Sequence, residues 1–127
     1  MAMHLMKVAP RGAKTGTVVV TPGFRLKQRY VFHTPGPFWS SGDLNERELL
    51  SSCYRNCLLE AESMPDVRSI AFCSISTGIY RFPLDLAAEL AIGIAREHAV
   101  DSGLERIVFA MFGEPEFRAF SSAHGTV

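Results

Sequence analysis

Four short runs rich in Val, Ile or Phe, each bounded by Gly, Pro or Asp, constrain this chain through the distances between them. They occupy residues 17–21 (TVVVT), 30–34 (YVFHT), 69–74 (SIAFCS) and 106–112 (RIVFAMF). Eight residues, Pro22 to Arg29, separate the first two. That is too few for a parallel crossover, so these two read as antiparallel neighbours with the first at a sheet edge. Each later gap is long enough for a helix, which predicts β-α-β-α-β with parallel strands and right-handed crossovers. The first helix spans about residues 45–62, with Leu49, Leu50, Cys53, Tyr54, Cys57, Leu58 and Ala61 on one stripe, and Asn45 with Glu48 reads as a capping pair. The second starts near Pro83, turns Leu84, Ala87, Ala88, Ala91, Ile94 and Ala95 inward and ends near Gly103. Its alanines imply close packing on a sheet. Residues 35–37 and 114–116 read as loops.

A chain of 127 residues holds one domain with a real core, and no apolar run approaches the roughly 18 residues of a membrane span. The first residues carry no apolar core with a cleavage site, so a cytoplasmic protein without a membrane partner is expected. Cys53, Cys57 and Cys73 form no Cys-x-x-Cys pair and read as reduced, buried thiols. Net charge is zero, yet Lys7, Arg11, Lys14, Arg25, Lys27 and Arg29 precede every acidic residue. This asymmetry suits a phosphate ligand or a basic edge that discourages sheet-to-sheet association. Without aromatic interleaving, no nucleic-acid partner is expected.

The most informative stretch is Ser76, Thr77, Gly78 and Ile79, between the third strand and the second helix. A strand that ends in small hydroxyl residues and a glycine leaves backbone N–H groups free for an anion, and the helix that follows adds its positive dipole end. The alternative is a turn that binds nothing. Tyr80 could lie against a sugar or base, or pack within its loop. His33, mid-strand among apolar residues, reads as a histidine satisfied by a backbone carbonyl rather than a catalytic base. Cys53 and Cys57, four apart on one helical face, read as core thiols because no third metal ligand stands nearby. Ser76 as a nucleophile lacks a positioned base and a Gly-x-Ser-x-Gly elbow. Phe112 could face an aromatic ligand or the core, Phe117 and Phe120 are expected to seal the core, and Asp85, Glu89 and Glu97 form a solvated face.

The segments GTVVVTPGFRLKQRYVFHTPGP, LLSSCYRNCLLEA and SIAFCSISTGIYRFPLDLAAELAI together resemble the second half of a macro domain, the module that binds ADP-ribose. The zinc-dependent protein-ADP-ribose hydrolase branch is the most similar, and the likeness covers roughly residues 16–120. It implies a single, incomplete domain over residues 1–127, a three-layer α/β/α mixed sheet lacking the family's N-terminal strands, with residues 1–15 poorly ordered or part of a helix. By position, Ser76, Thr77, Gly78, Ile79 and Tyr80 resemble the family's second phosphate loop, and Phe112 the residue lining the adenosine end. The chain departs from the family at Lys27, at Pro35 and at Arg81, which could add a phosphate contact or crowd the ribose.

The family's adenine-reading aspartate, Asn-Ala-Ala-Asn strand, glycine-rich first phosphate loop and the zinc branch's Cys and His ligands have no match here. No cofactor is therefore expected in this chain, although zinc belongs to the branch it resembles. The implied partner is ADP-ribose or an ADP-ribosylated protein, and the alternatives are a binding module without turnover or a remnant without ligand. The family's strand order also puts a strand of the absent half between residues 30–34 and 69–74. Either those strands close up and pair, or a strand-donating partner or a homo-oligomer fills the gap, or the chain is marginal and prone to aggregate.

Overall fold

In the computed structural model, residues 14–125 are described, apart from Phe24, Leu26, Ile79 and Asp101. Lys7, Arg11 and the start expected to be partly helical lie outside the described residues. The order is β1 (Val19–Pro22), β2 (Tyr30–His33), α1 (Glu46–Ser63), β3 (Ser69–Phe72), α2 (Leu84–Ala99), β4 (Arg106–Phe109) and α3 (Glu114–His124). β1 and β2 are antiparallel, with Val20 opposite Phe32. β3 and β4 are parallel, with Ile70 opposite Ile107. Both directions follow from the linker lengths. Among the described residues, however, β2 and β3 share no ladder, and the strands form two separate pairs. Direct closure of the sheet is therefore not the outcome adopted.

The predicted stripe of α1 is buried from Leu50 through Ala61, and α2 lies between α1 and α3, its alanines allowing close approach to both helices. An aromatic series ties helices to strands. Tyr54 meets Phe72 edge-on at 5.1 Å, Phe72 stacks on Phe109 at 5.6 Å, and Phe109 reaches Phe120 at 5.4 Å. Asp85, Glu89 and Glu97 are solvated as expected.

Four local expectations need correction. Asn45 stands at the N-cap of α1 but has φ 65° and makes no side-chain cap bond, so it forms no capping pair with Glu48. Residues 114–116 open α3 rather than a loop, because a proline in a first helical turn gives up an N–H that has no intrahelical acceptor. Phe117 is 58% exposed while Phe120 is buried, since the narrow inner stripe of this short helix holds only one of them. Cys73 is exposed while Cys53 and Cys57 are buried. Alternation along β3 accounts for it: Phe72 points to the core, whereas Ser69, Ala71 and Cys73 share the outer face.

Tyr54 is fully buried in α1, and its hydroxyl both donates to Cys73 O (3.3 Å) and accepts from Ile75 N (3.1 Å). Burial raises its pKa, so it stays a neutral phenol. Tyr54→Phe strands two backbone groups and is expected to lower unfolding stability by about 1–3 kcal/mol, read from urea midpoints at unchanged m-value.

Candidate functional site

The chain between β3 and α2 is a compact turn built from its own hydroxyls and backbone. Ser74 Oγ and Thr77 Oγ1 lie 2.6 Å apart, and Thr77 Oγ1 also donates to Ser74 O. The Phe82 amide donates to Ser76 O (2.9 Å) and the Arg81 amide to Gly78 O (3.0 Å). Ser76 has φ 65° and Arg81 φ 61°, so two non-glycine residues hold left-handed conformations within six residues. Such clustering of unfavourable φ values is frequent where backbone groups are aimed at a ligand. The amides of Ser76 and Gly78 have no acceptor among the described residues, whereas the Thr77 amide faces Ser74 O across the hydrogen-bonded turn at residues 75–76. Ile79 lies outside the described residues.

α2 begins at Leu84, four residues beyond Tyr80. The dipole of a helix fades within its first turn, so the electrostatic help expected from α2 is small. Arg81 is exposed in the turn.

A second loop, between β2 and α1, braces this turn. Gly36 packs so tightly on it that a Cβ there would overlap Ser76 Oγ and come within 2.7 Å of Ile75 Cγ2. Around Gly78, by contrast, a Cβ would meet nothing within 4 Å. The Trp39 amide donates to Tyr80 O (2.8 Å), Phe38 lies 3.8 Å from the Tyr80 ring centre, and Trp39 meets Phe82 edge-on at 5.0 Å. Tyr80 is thereby held in place from the neighbouring loop.

Glu46 anchors that loop. Its side chain is 2% exposed; Oε2 accepts from the amides of Ser40 (2.8 Å), Ser41 (3.3 Å) and Gly42 (3.1 Å), and Oε1 from Leu44 (2.8 Å). These donors, Ser40 foremost, outweigh desolvation and hold the carboxyl down to about 2. Sequence reading missed this residue. Its only trace was an acid in the first turn of α1, preceded by Ser-Ser-Gly.

The other candidates separate. β3 and β4 run parallel with Phe72 opposite Phe109, so Phe112, just past β4, emerges at the same end of the sheet as the Ser76 turn. It is fully exposed. His33 Nε2 lies 2.9 Å from the buried Thr21 hydroxyl, a structural contact. Cys53 Sγ donates to Pro35 O (3.4 Å), and burial pushes the Cys57 thiol up to about 12. Ser76 Oγ is buried without a hydrogen-bond partner and has no base to activate it among the described residues. Two hollows, of about 290 and 540 Å³, lie away from the turn, beside β4 and between the starts of α2 and α3. No residue of the turn lines either hollow.

Comparison with known proteins gives this turn its context. The macro domain family model matches residues 2–91. A macro domain-containing protein of Ralstonia nicotianae is 46% identical over 91% of this chain and 66% of its own length. The O-acetyl-ADP-ribose deacetylase of Salmonella typhimurium is 39% identical over 94% of this chain and 67% of its own. Among solved structures, the Oceanobacillus iheyensis macrodomain with ADP superposes with a TM-score of 0.86 at 30% identity, covering 97% of this chain and 64% of that one. The Trypanosoma brucei macrodomain in complex with ADP-ribose gives 0.85 at 34%, covering 98% and 53%. The chain thus spans just under two thirds of the Ralstonia relative's length. On the family model, the sequence identity and the shared strand–turn–helix frame together, this chain belongs to the macro domain family.

Proposed function

We propose that the chain recognises ADP-ribose through the turn after β3 and supplies that wall of the cleft in a domain that removes ADP-ribose from modified proteins. The observation that carries this reading is that the Ser76 and Gly78 amides of this turn have no acceptor among the described residues. Free backbone N–H donors suit a diphosphate, which carries its charge on several oxygens and is expensive to strip of water unless each oxygen finds a donor. Arg81, exposed in the same turn, adds positive charge to it. Tyr80, braced by Phe38 and Trp39, offers its ring to the distal ribose, and the exposed face of Phe112 is available to adenine. A second reading, cleavage of the ester in O-acetyl-ADP-ribose, is favoured by the name of the Salmonella relative and uses the same recognition with a different scissile bond.

A zinc ion does not fit the described residues. They hold no group of three His, Cys, Asp or Glu side chains able to share one ion, and Cys53 and Cys57 are protonated, buried and engaged in packing. No step through a metal is assigned to them.

Gly78→Val tests the ligand directly. The free protein has room for the new side chain, so its melting temperature is expected to stay unchanged, while a ligand lying on the Gly78 amide would collide with it. Calorimetric titration with ADP-ribose is expected to show at least about 10-fold weaker binding, a loss of roughly 1.4 kcal/mol. Equal affinity in the folded variant would remove the turn from the site. The isolated chain is also expected to bind without turnover, and chelator-sensitive release of ADP-ribose from a modified protein would contradict this.

A further inference from the structure

Phe38 is 64% exposed, although the chain on either side of it is fixed. Pro37 is buried, and Trp39 packs against the core, its amide on Tyr80 O (2.8 Å) and its ring edge-on to Phe82. With both neighbours turned inward, Phe38 is left facing out. Just beyond it the Glu46 carboxylate accepts from the amides of Ser40, Ser41 and Gly42, so the loop cannot withdraw the ring without breaking charge-assisted bonds. A single exposed apolar side chain is ordinary on a protein surface. What sets Phe38 apart is its place.

The loop after β2 and the turn after β3 lie side by side in the same order. Gly36 meets Ser76, Phe38 meets Tyr80 with ring centres 3.8 Å apart and planes inclined by 31°, and Trp39 meets Phe82. On the ADP-ribose reading above, on which this inference rests, the diphosphate lies at the Ser76 and Gly78 amides and the distal ribose at Tyr80. Phe38 therefore stands at the ribose end. In an ADP-ribosylated protein the anomeric carbon of that ribose carries the modified side chain, so polypeptide continues from the ligand at this end. Phe38 covers part of the Tyr80 ring and extends the same aromatic surface with its own exposed area.

We infer that Phe38 is a specificity-determining residue that packs on apolar side chains flanking the modified residue, so that an ADP-ribosylated polypeptide binds more tightly than free ADP-ribose. A ring with few torsions, on a backbone already fixed by its loop, makes such a contact at low entropic cost. The contact is apolar and does not involve the linkage atoms. It reads the polypeptide around the modification. O-acetyl-ADP-ribose, by contrast, offers a single methyl and would leave most of the ring in water.

Calorimetric titration of the 127-residue protein tests this with two probes, free ADP-ribose and a short peptide ADP-ribosylated on one arginine with a leucine on each side. The peptide is expected to bind at least about 10-fold more tightly, and glycines in place of its leucines should remove that advantage. Phe38→Ser is expected to remove it as well, with affinity for free ADP-ribose kept within about twofold, while Phe38→Tyr retains it. Melting temperatures check that the variants fold, and the comparison of peptides needs only the parent protein. Equal affinity of the parent for both probes would overturn the inference. So would a folded Phe38→Ser protein that weakens for both probes alike, because Phe38 would then only hold Tyr80 in place. In both cases free ADP-ribose still binds the parent, and recognition of the nucleotide stands. A parent protein that does not bind free ADP-ribose would overturn that recognition, and this contact with it.

Discussion

Gly36→Val is expected to produce the largest loss, in stability and in ADP-ribose binding together. The added side chain would have to displace Ser76 Oγ and Ile75 Cγ2, which are part of the turn that presents the amides. Overpacking of this kind costs about 1–3 kcal/mol. In a domain of this size that lowers the melting temperature by roughly 5–15 °C. Differential scanning calorimetry and titration with ADP-ribose should fall in step. Gly36→Ala combined with Ser76→Ala is expected to recover part of both, because one of the colliding atoms is gone. A Gly36→Val protein that melts and binds like the parent would show that the two loops are not mechanically joined. The contrast with Gly78 is instructive. Gly36 is needed for folding around the turn, whereas Gly78 is needed only if a ligand approaches.

Glu46→Gln is expected to be nearly as damaging. The carboxylate satisfies four backbone amides of residues 40–44 at once, and a carboxamide, which carries one acceptor oxygen and two donors, leaves some of them facing an N–H. A drop in melting temperature of roughly 10 °C is expected from losing several charge-assisted bonds in one place. The sequence has a single tryptophan, Trp39, at the edge of this loop, so its emission reports the loop directly. It should shift to the red in the variant as water reaches the indole. The pH dependence has a definite sign. The folded carboxyl titrates near 2 and an unfolded one near 4.3, so its contribution is complete above about pH 4.5 and is lost as pH falls from there toward 2. Glu46→Gln should flatten that limb of the stability profile. An acid limb identical in both proteins would mean that another group governs it.

Much of the architecture was legible in the residues. The inward stripe of α1, from Leu50 to Ala61, repeats at helical spacing, and hydrophobic periodicity is a local property that any window of the chain displays. The eight-residue link between the first two strands excluded a parallel crossover by geometry alone, and β1 and β2 are antiparallel. Of the candidate residues, Ser76, Thr77 and Gly78 drew notice because small hydroxyl residues and glycine between a strand and a helix are a local signal too, whereas Arg81 entered only through the family resemblance. Less visible was α3, where Glu114-Pro115-Glu116 looks like a loop until Phe120 is seen inserted beside Phe109.

The sequence by itself determined which segments become helix or strand, α3 excepted, which way neighbouring strands run, and the family whose second half they resemble. Those properties arise from interactions within a few residues, or from the reach of a short linker, and so they are written consecutively. Only the tertiary structure decided that Gly36 rather than Gly78 has no room for a side chain, that Glu46 serves residues 40–44 instead of a conventional cap, and that β2 and β3 stay apart. Each depends on which atoms distant in the chain occupy the same few ångströms: a collision, a set of amides seeking one acceptor, two strand edges held by the same helix. Spacing along the chain carries no record of such meetings, because they are settled by packing the whole core at once.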